Sequence, residues 1–143
     1  MNSRSVTVYT DGSNCPTTNR YGYGCVFLDN DNNVIKKLYG KGSRKSKTAS
    51  RNISGELLGA MKAIEWAVNN GYKFIHIYAD YIGVKMWAEG HWKANTFVAQ
   101  EYIDFISEYS KKIVIRFSHI KGHSGNEYNE MADRLAKKSL GIG

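Results

Sequence analysis

Hydrophobic and polar residues alternate along the first forty positions, a pattern typical of strands with one buried face. Ser5 to Thr10 alternates with a period of two and runs into the turn-forming residues Asp11 to Asn14. Two further strands are predicted, near Gly22 to Leu28 and from Val34 to Gly40, on either side of the polar turn 29–33. The chain is therefore expected to open with an antiparallel meander.

After residue 52 the spacing of apolar residues lengthens to three and four, which indicates a helix lying on a sheet. Asn52 is a candidate N-cap for this helix, and Asn70-Gly71 is a typical helix end. The next segment, Phe74 to Ala79, is apolar at both alternating positions, which favours a strand buried on both faces and ending at Asp80. The helical stripe consists of Ile53, Leu57, Met61, Ile64 and Val68.

The remaining residues predict two helices, a strand and a final helix. A short helix is expected over Tyr81 to Glu89, another over Val98 to Tyr109, a fifth strand over Lys112 to Phe117, and the last helix from about Asn126 to Ser139. The element order βββαβααβα predicts an α/β fold with a mixed sheet. The chain has 143 residues, close to the roughly 150 of a typical domain, so a single domain over 1–143 is expected.

Composition excludes a disordered chain and favours a polyanionic partner. Apolar residues make up 42% of the sequence and aromatic residues 13%, which is enough for a packed core. Twenty Lys and Arg oppose thirteen Asp and Glu, and the net charge is +7. The whole excess lies in a basic segment, residues 36–51, which is either a solvated loop or a set of phosphate contacts. Its cations are Lys36, Lys37, Lys41, Arg44, Lys45, Lys47 and Arg51.

The sequence predicts a soluble, cytoplasmic protein. No apolar run reaches the roughly 18 residues of a membrane span, and the first ten residues lack the apolar stretch of a secretory signal. Cys15 and Cys25 match no metal-binding or redox motif, so reduced thiols are expected, although only geometry decides whether they form a disulfide.

Four acidic residues stand where a ligand site is expected in an α/β fold. Asp11 and Asp80 each follow a predicted strand, and ligand sites lie outside the carboxyl ends of such strands. Glu56 falls in the first turn of the long helix, and Asp133 falls one turn into the last helix. Each also has a structural alternative: Asp11 as a turn residue, Asp80 as an N-cap, Glu56 as a partner of the helix dipole, and Asp133 as a surface acid paired with Lys137.

Taken together, the four carboxylates indicate divalent metal ions. Close together they would repel one another, and some of their pKa values would rise in the absence of cations. Two Mg²⁺ ions would balance the four negative charges, and Mg²⁺ prefers a few carboxylates with water and phosphate oxygens. Mn²⁺ is the alternative ion. Such a pair can activate water on one side of a phosphodiester and stabilise the leaving oxygen on the other, so phosphodiester hydrolysis is predicted.

Four short motifs surround these acids in the order of the chain. They are Tyr9-Thr10-Asp11-Gly12-Ser13, Gly55-Glu56-Leu57-Leu58-Gly59-Ala60, Tyr78-Ala79-Asp80, and Lys121-Gly122-His123-Ser124-Gly125 followed by Asn129 to Ala136. In order and spacing they resemble the motifs of type 1 ribonuclease H over essentially the whole chain. The resemblance implies the ribonuclease H-like fold, a five-stranded mixed sheet of order 3-2-1-4-5 with helices on both faces.

The resemblance also implies an activity. Members of this family cleave the RNA strand of an RNA/DNA hybrid and leave 5′-phosphate and 3′-hydroxyl ends, so a metal-dependent endoribonuclease acting as a monomer, with no protein partner, is expected. By position, Asp11 would bridge both ions, Asp133 would share the ion that activates water, and Glu56 with Asp80 would hold the other. His123 matches the histidine that assists water activation or product release.

Four polar or small residues match family positions that face the hybrid. They are Gly12, Ser13, Asn14 and Asn52. Polar groups and backbone amides at such positions can read the 2′-hydroxyl in the wide minor groove without reading bases. For Asn52, a plain helix cap is the competing role.

The chain departs from the better-known bacterial pattern in three places. Residues 15–20 replace a Gly/Pro-rich stretch, Tyr81 stands where a small hydroxyl residue usually follows the third acid, and the space between Trp92 and Thr96 is too short for the extra basic helix, or handle, of some members. Without a handle, the basic segment is expected to contact phosphates. The candidates are Arg44, Lys45 and Lys47.

Two tryptophans are candidates to line the path of the DNA strand. They are Trp92 and Trp87, and packing of a helix on the sheet is the alternative for both. Two other functions compete with hydrolysis of a hybrid: a binding module that keeps the fold without the chemistry, and a related DNA-strand transferase or junction resolvase. The complete set of acids argues against the first, and the Lys121-Gly122-His123 loop with the small size argues against the second.

Overall fold

The computed structural model describes residues 4–15, 20–43, 51–121 and 125–141. Within these ranges it contains five strands and four helices in the predicted order, βββαβααβα. The elements are β1 (Ser5–Cys15), β2 (Arg20–Leu28), β3 (Val34–Ser43), α1 (Arg51–Asn69), β4 (Phe74–Ala79), α2 (Gly83–Ala88), α3 (Phe97–Tyr109), β5 (Val114–His119) and α4 (Glu127–Ser139).

The strands form one mixed sheet of order β3-β2-β1-β4-β5, the order that the resemblance implied. β2 pairs antiparallel with β1 and with β3, whereas β4 pairs parallel with β1 and with β5. Parallel pairing requires a crossover, which α1 supplies between β3 and β4, and α2 with α3 between β4 and β5. The carboxyl ends of the parallel strands therefore lie at one end of the sheet.

Helices cover both faces of the sheet, but unequally. α1 packs on β1 and β2 with α3 behind it, and the Cys25 Sγ on β2 donates a hydrogen bond to the Gly59 carbonyl of α1 at 3.3 Å. The main core lies on this face and includes Ile64 and Tyr102, neither of which is exposed. α4 packs on the opposite face over β1, β2 and β3, where Ala132 is fully buried. The larger core thus holds α1 firmly against β1.

The prediction that β4 is buried on both faces is wrong. Ile75 and Ile77 are buried on the α1 face. On the other face Phe74 is 42% exposed, and His76 and Tyr78 are partly exposed. The reason is that α4 lies over β1 to β3 and, in the part of the chain that the structure describes, leaves this face of β4 and β5 open to solvent.

β1 also differs from its prediction, because it continues past the expected turn at Asp11. Its pairing with β4 ends at Thr10. Its pairing with β2 goes on through Asp11 opposite Gly24 to Cys15 opposite Arg20. The partner strand on one edge is enough to keep the backbone extended through polar residues that the sequence pattern assigns to a turn.

The starts of α1, α2 and β5 also differ from those predicted from the sequence. α1 includes Arg51, so Asn52 lies inside its first turn and is not the N-cap. α2 begins at Gly83 without a side-chain cap, so Asp80 is not an N-cap either. β5 begins at Val114, two residues later than predicted. Cys15 and Cys25 are both thiols, and no helix among the described residues is long and apolar enough to cross a membrane.

Candidate active site

Asp11 and Asp80 lie side by side where the parallel pairing of β1 with β4 ends. The last paired residues of β1 and β4 are Thr10 and Ala79, and each aspartate follows one of them. Residues directly paired on neighbouring strands point to the same face, so the two carboxylates leave the sheet at the same point. This placement confirms the neighbouring strand ends expected from the sequence.

Glu56 joins this pair because α1 crosses β1 at very short range. A β-carbon on Gly12 would collide with the backbone nitrogen of Glu56, so only glycine allows this approach. Carboxylate oxygens of Asp11, Glu56 and Asp80 lie within 4.8 Å of one another. We refer to these three residues as the carboxylate cluster.

Burial and mutual repulsion make the carboxylate cluster difficult to ionise. Asp11 is only 5% exposed, and burial together with the charge of Asp80 raises its pKa to about 7. Burial and the charge of Asp11 raise the pKa of Glu56 well above its ordinary value. Glu56 Oε2 is buried and has no hydrogen-bond partner among the described residues. The site therefore concentrates carboxylate oxygens that lack the positive charge they need.

Asp133 lies near the carboxylate cluster but is not one of its members. It projects from α4, whose N-cap Asn126 accepts a hydrogen bond from the backbone N–H of Asn129 at 2.9 Å. The charge of Asp133 contributes to the raised pKa of Asp11. Its Oδ2 also forms an ion pair with the Lys137 Nζ at 3.1 Å, the contact that the structural alternative predicted. Three of the four acids thus meet closely, and the fourth lies within electrostatic range.

The candidate hybrid-contact residues on β1 lie directly beyond Asp11. Gly12, Ser13 and Asn14 continue the strand, and Ser13 is paired with Gly22 of β2. Asn52 lies one turn before Glu56 on α1, at the end of the helix that meets this part of the sheet. These four positions therefore surround the same end of β1 as the carboxylate cluster. Their contacts with nucleic acid stay a prediction.

The two tryptophans differ in their surroundings. Trp87 is 6% exposed and packs in the main core, which supports the packing alternative for this residue. Trp92 follows α2, is 37% exposed and stands edge-on against Trp87 at 5.3 Å between ring centroids. Of the two, only Trp92 offers an exposed ring surface. The remaining predicted site residues, His123, Arg44, Lys45 and Lys47, lie outside the described residues.

His119 lies near the carboxylate cluster and was not identified from the sequence, whereas Tyr81, which also lies there, was noted only as a departure from the family pattern. The His119 Nε2 lies 3.0 Å from the backbone carbonyl oxygen of Asp80, and this contact holds the end of β4 against β5. Tyr81 packs against Trp87. Burial raises the pKa of the Tyr81 phenol, and the negative charge of nearby Glu56 raises it further. Only the register of β5 places His119 here, and no motif marks it.

A family model and a curated relative match nearly the whole chain. The RNase H family model matches residues 3–140. The ribonuclease H of Chlorobaculum parvum is 27% identical over 149 residues, which cover 96% of each chain.

Two solved structures show the same fold. RNase H1 of the archaeon Halobacterium salinarum superimposes with a TM-score of 0.80 at 21% identity, covering 96% of this chain and 98% of that one. LC11-RNase H1, isolated from compost and solved in complex with an RNA/DNA hybrid, gives a TM-score of 0.75 at 17% identity, covering 94% of this chain and 99% of that one. The fold resembles both over nearly its whole length.

Proposed function

This chain belongs to the ribonuclease H family, and we propose that it hydrolyses the RNA strand of an RNA/DNA hybrid with two bound divalent cations, leaving 5′-phosphate and 3′-hydroxyl ends. The observation that carries the proposal is the meeting of Asp11, Glu56 and Asp80 within 4.8 Å at the carboxyl end of the parallel strands. A solved structure similar to this chain, LC11-RNase H1, is a complex with such a hybrid.

The donor atoms of the carboxylate cluster fit Mg²⁺. All are carboxylate oxygens, which Mg²⁺ and Mn²⁺ prefer. Among the described residues the buried Glu56 Oε2 has no hydrogen-bond partner, and burial together with the negative charge of Asp80 raises the pKa of Asp11. Asp11, Glu56, Asp80 and Asp133 would hold the ions. When bound, the ions would polarise the phosphodiester and lower the pKa of the attacking water.

The residues of the chain supply position and charge. Asp11 is held by β1, Asp80 by β4 and Glu56 by α1, so the substrate meets groups that need no rearrangement. The backbone N–H of Gly12 donates to Asp11 Oδ1 at 2.9 Å, which keeps that carboxylate oriented. His119 fixes the backbone of Asp80. His123 is proposed to assist in moving the proton of water or in product release.

Selection of a hybrid would come from contacts that do not read bases. Ser13, Asn14 and Asn52 are proposed to face the minor groove, where the 2′-hydroxyl distinguishes RNA. Arg44, Lys45 and Lys47 are proposed to contact phosphates, and Trp92 to lie along the DNA strand. The monomeric state and the cytoplasmic location are also part of the proposal, and the two thiols fit a reducing compartment.

The test is cleavage of a labelled RNA/DNA hybrid, with double-stranded DNA and double-stranded RNA as controls, in Mg²⁺ or in chelator. We expect cleavage of the RNA in the hybrid only, lost in chelator and in Asp11→Asn. Analysis of the ends should give 5′-phosphate and 3′-hydroxyl. Cleavage that persists in chelator would refute the metal mechanism, and binding without cleavage would identify a binding module.

A further inference from the structure

The face of the sheet that α4 leaves open runs directly into the carboxylate cluster. Phe74, His76 and Tyr78 project from this face of β4. Because alternate residues of a strand point to the same side, Asp80, two residues after Tyr78, lies on this side as well. On β1 the residues paired with them lead in the same way to Asp11. We call this surface of β4 and β5, together with Ser5 and Thr7 at the start of β1, the open face.

A groove of about 300 Å³ lies at the far end of the open face, where the three strands begin. Its outward side chains come from three neighbouring strands, and their register is given by the pairing of Ser5 with Phe74 and of Phe74 with Val114. Phe74 is 42% exposed and Val114 is 53% exposed. The groove is lined by Ser5, Thr7, Phe74, His76, Val114 and Arg116.

The groove and the carboxylate cluster are joined by stacked rings. The rings of His76 and Tyr78 stack at 4.3 Å between centroids, and those of Tyr78 and Tyr9 stack at 4.8 Å. Tyr128 of α4 packs against Tyr9 at 5.4 Å and borders the row. The stacked faces of these rings cover one another. The exposed apolar side chains of the open face are therefore Phe74 and Val114, at the end of the row.

The charge of the groove is positive. Arg116 is exposed, and no carboxylate lies within ion-pair distance of it in the described ranges. Lys73 and Lys112, both exposed, flank the same ends of β4 and β5. On the β1 side, Asp29 accepts hydrogen bonds from the backbone of Asn33 and Asp31 at 2.9 Å, which lower its pKa and keep it negatively charged. A negatively charged occupant is therefore favoured beside β4 and β5.

We propose that the open face binds a single-stranded extension of the substrate, so that the preferred substrate is an RNA/DNA hybrid with an unpaired tail. This inference rests on the proposed function. Phe74 and Val114 would contact a base, as exposed apolar and aromatic groups of a sheet do in proteins that bind single strands. Arg116 would contact a phosphate. The groove and Asp80 lie on the same side of β4, so one strand that leaves the carboxylate cluster would reach the groove along this face.

The experiment compares blunt hybrids with hybrids that carry a single-stranded DNA tail of about ten nucleotides at either end of the DNA strand. Binding is measured by fluorescence anisotropy and cleavage by initial rates. The variants are Arg116→Gln and Phe74→Thr. The control is Lys62→Gln, which removes one charge from α1 on the opposite face.

In the native protein we expect one of the tails to tighten binding about fivefold or more. Both variants should abolish that gain and leave the cleavage of blunt hybrid unchanged, and Lys62→Gln should retain the gain. Loss of one phosphate contact should also make the salt dependence of tailed-hybrid binding shallower by about 0.7 in the log–log slope.

Three results would overturn the inference. They are no gain from either tail, a gain that survives in both variants, and a dimer in sedimentation that Phe74→Thr dissociates, since a second copy would then fill the groove. The proposed function can fail separately: if no hybrid is cleaved but a tail still tightens binding through Arg116 and Phe74, only the catalytic proposal falls.

Discussion

Gly12 and Glu56 lie so close together that a β-carbon on Gly12 would collide with the backbone nitrogen of Glu56. This contact sets the distance between α1 and β1, and with it the position of Glu56 relative to Asp11. The geometry of the carboxylate cluster thus depends on Gly12 as well as on the acids.

Gly12→Ala is expected to push α1 away from β1 and to separate Glu56 from Asp11. Hydrolysis of the hybrid should fall by at least about tenfold, because misplacement of a catalytic group by about 1 Å is costly. Initial rates with matched circular dichroism spectra test this. Gly90→Ala is the control, since Gly90 has a positive φ of 81° but open space around it; it should cost about 1 kcal/mol of stability and little activity.

Metal-free protein is expected to lose stability as pH rises from about 4 to 7. The pKa of Asp11 is 3.8 in the unfolded chain and about 7 in the folded one. The folded state therefore binds its proton more tightly, and that stabilisation is present below pH 4 and lost as pH passes 7. For Asp11 this is worth on the order of 4 kcal/mol. Thermal unfolding in chelator across this pH range measures it.

Asp11→Asn should therefore stabilise the metal-free protein at pH 8 and remove most of the stabilisation by Mg²⁺. The amide has no charge that burial penalises and none to repel Asp80. The free energy of about 4 kcal/mol associated with Asp11 corresponds to an increase in Tm of about 10 °C. Asp31→Asn, in the exposed turn 29–33, should change neither quantity. A lower Tm for Asp11→Asn would contradict the electrostatic account.

Lys137→Gln is expected to improve binding of divalent cations. The Lys137 ammonium lies 3.1 Å from Asp133 Oδ2 and competes with an ion for that carboxylate. The Mg²⁺ concentration for half-maximal cleavage should fall about two- to threefold, while stability changes by less than about 1 kcal/mol because the pair is partly exposed. Lys62→Gln breaks the distant pair with Glu65 and should leave the Mg²⁺ requirement unchanged.

Replacement of Arg44, Lys45 and Lys47 by glutamine is expected to make hybrid affinity less sensitive to salt. Three lost phosphate contacts should reduce the log–log slope by about 2 to 3. The maximal rate at saturating hybrid should stay the same. Glutamine at Lys62 and Lys111, exposed lysines on other surfaces, serves as the control. An unchanged slope would assign the basic segment to solubility alone.

Cys25 is expected to resist alkylation until the protein unfolds. Its side chain is fully buried against Gly59, and burial raises the pKa of its thiol above the ordinary range. Since the thiolate is the reactive form, iodoacetamide should modify Cys15 alone in the native state. Mass spectrometry of native and denatured samples tests this, and rapid modification of both would show that the α1 face of β2 opens.

The order of the elements, the mixed sheet and the neighbouring positions of Asp11 and Asp80 could all be predicted from the sequence. These features depend on local patterns: a period of two in Ser5 to Thr10, a helical stripe through Leu57 and Ile64, and acids after apolar segments. Each pattern reflects which side of one element meets the core, and that information lies within a few residues.

The close approach of α1 to β1, the contact of His119 with Asp80 and the open face of β4 were decided by the tertiary structure. Each depends on the register or reach of an element far away in the chain. The apolar run Phe74 to Ala79 looked buried on both faces because its residues cannot report that α4 lies over β1 to β3 only. Asp11 likewise remains in a strand because β2 pairs with it.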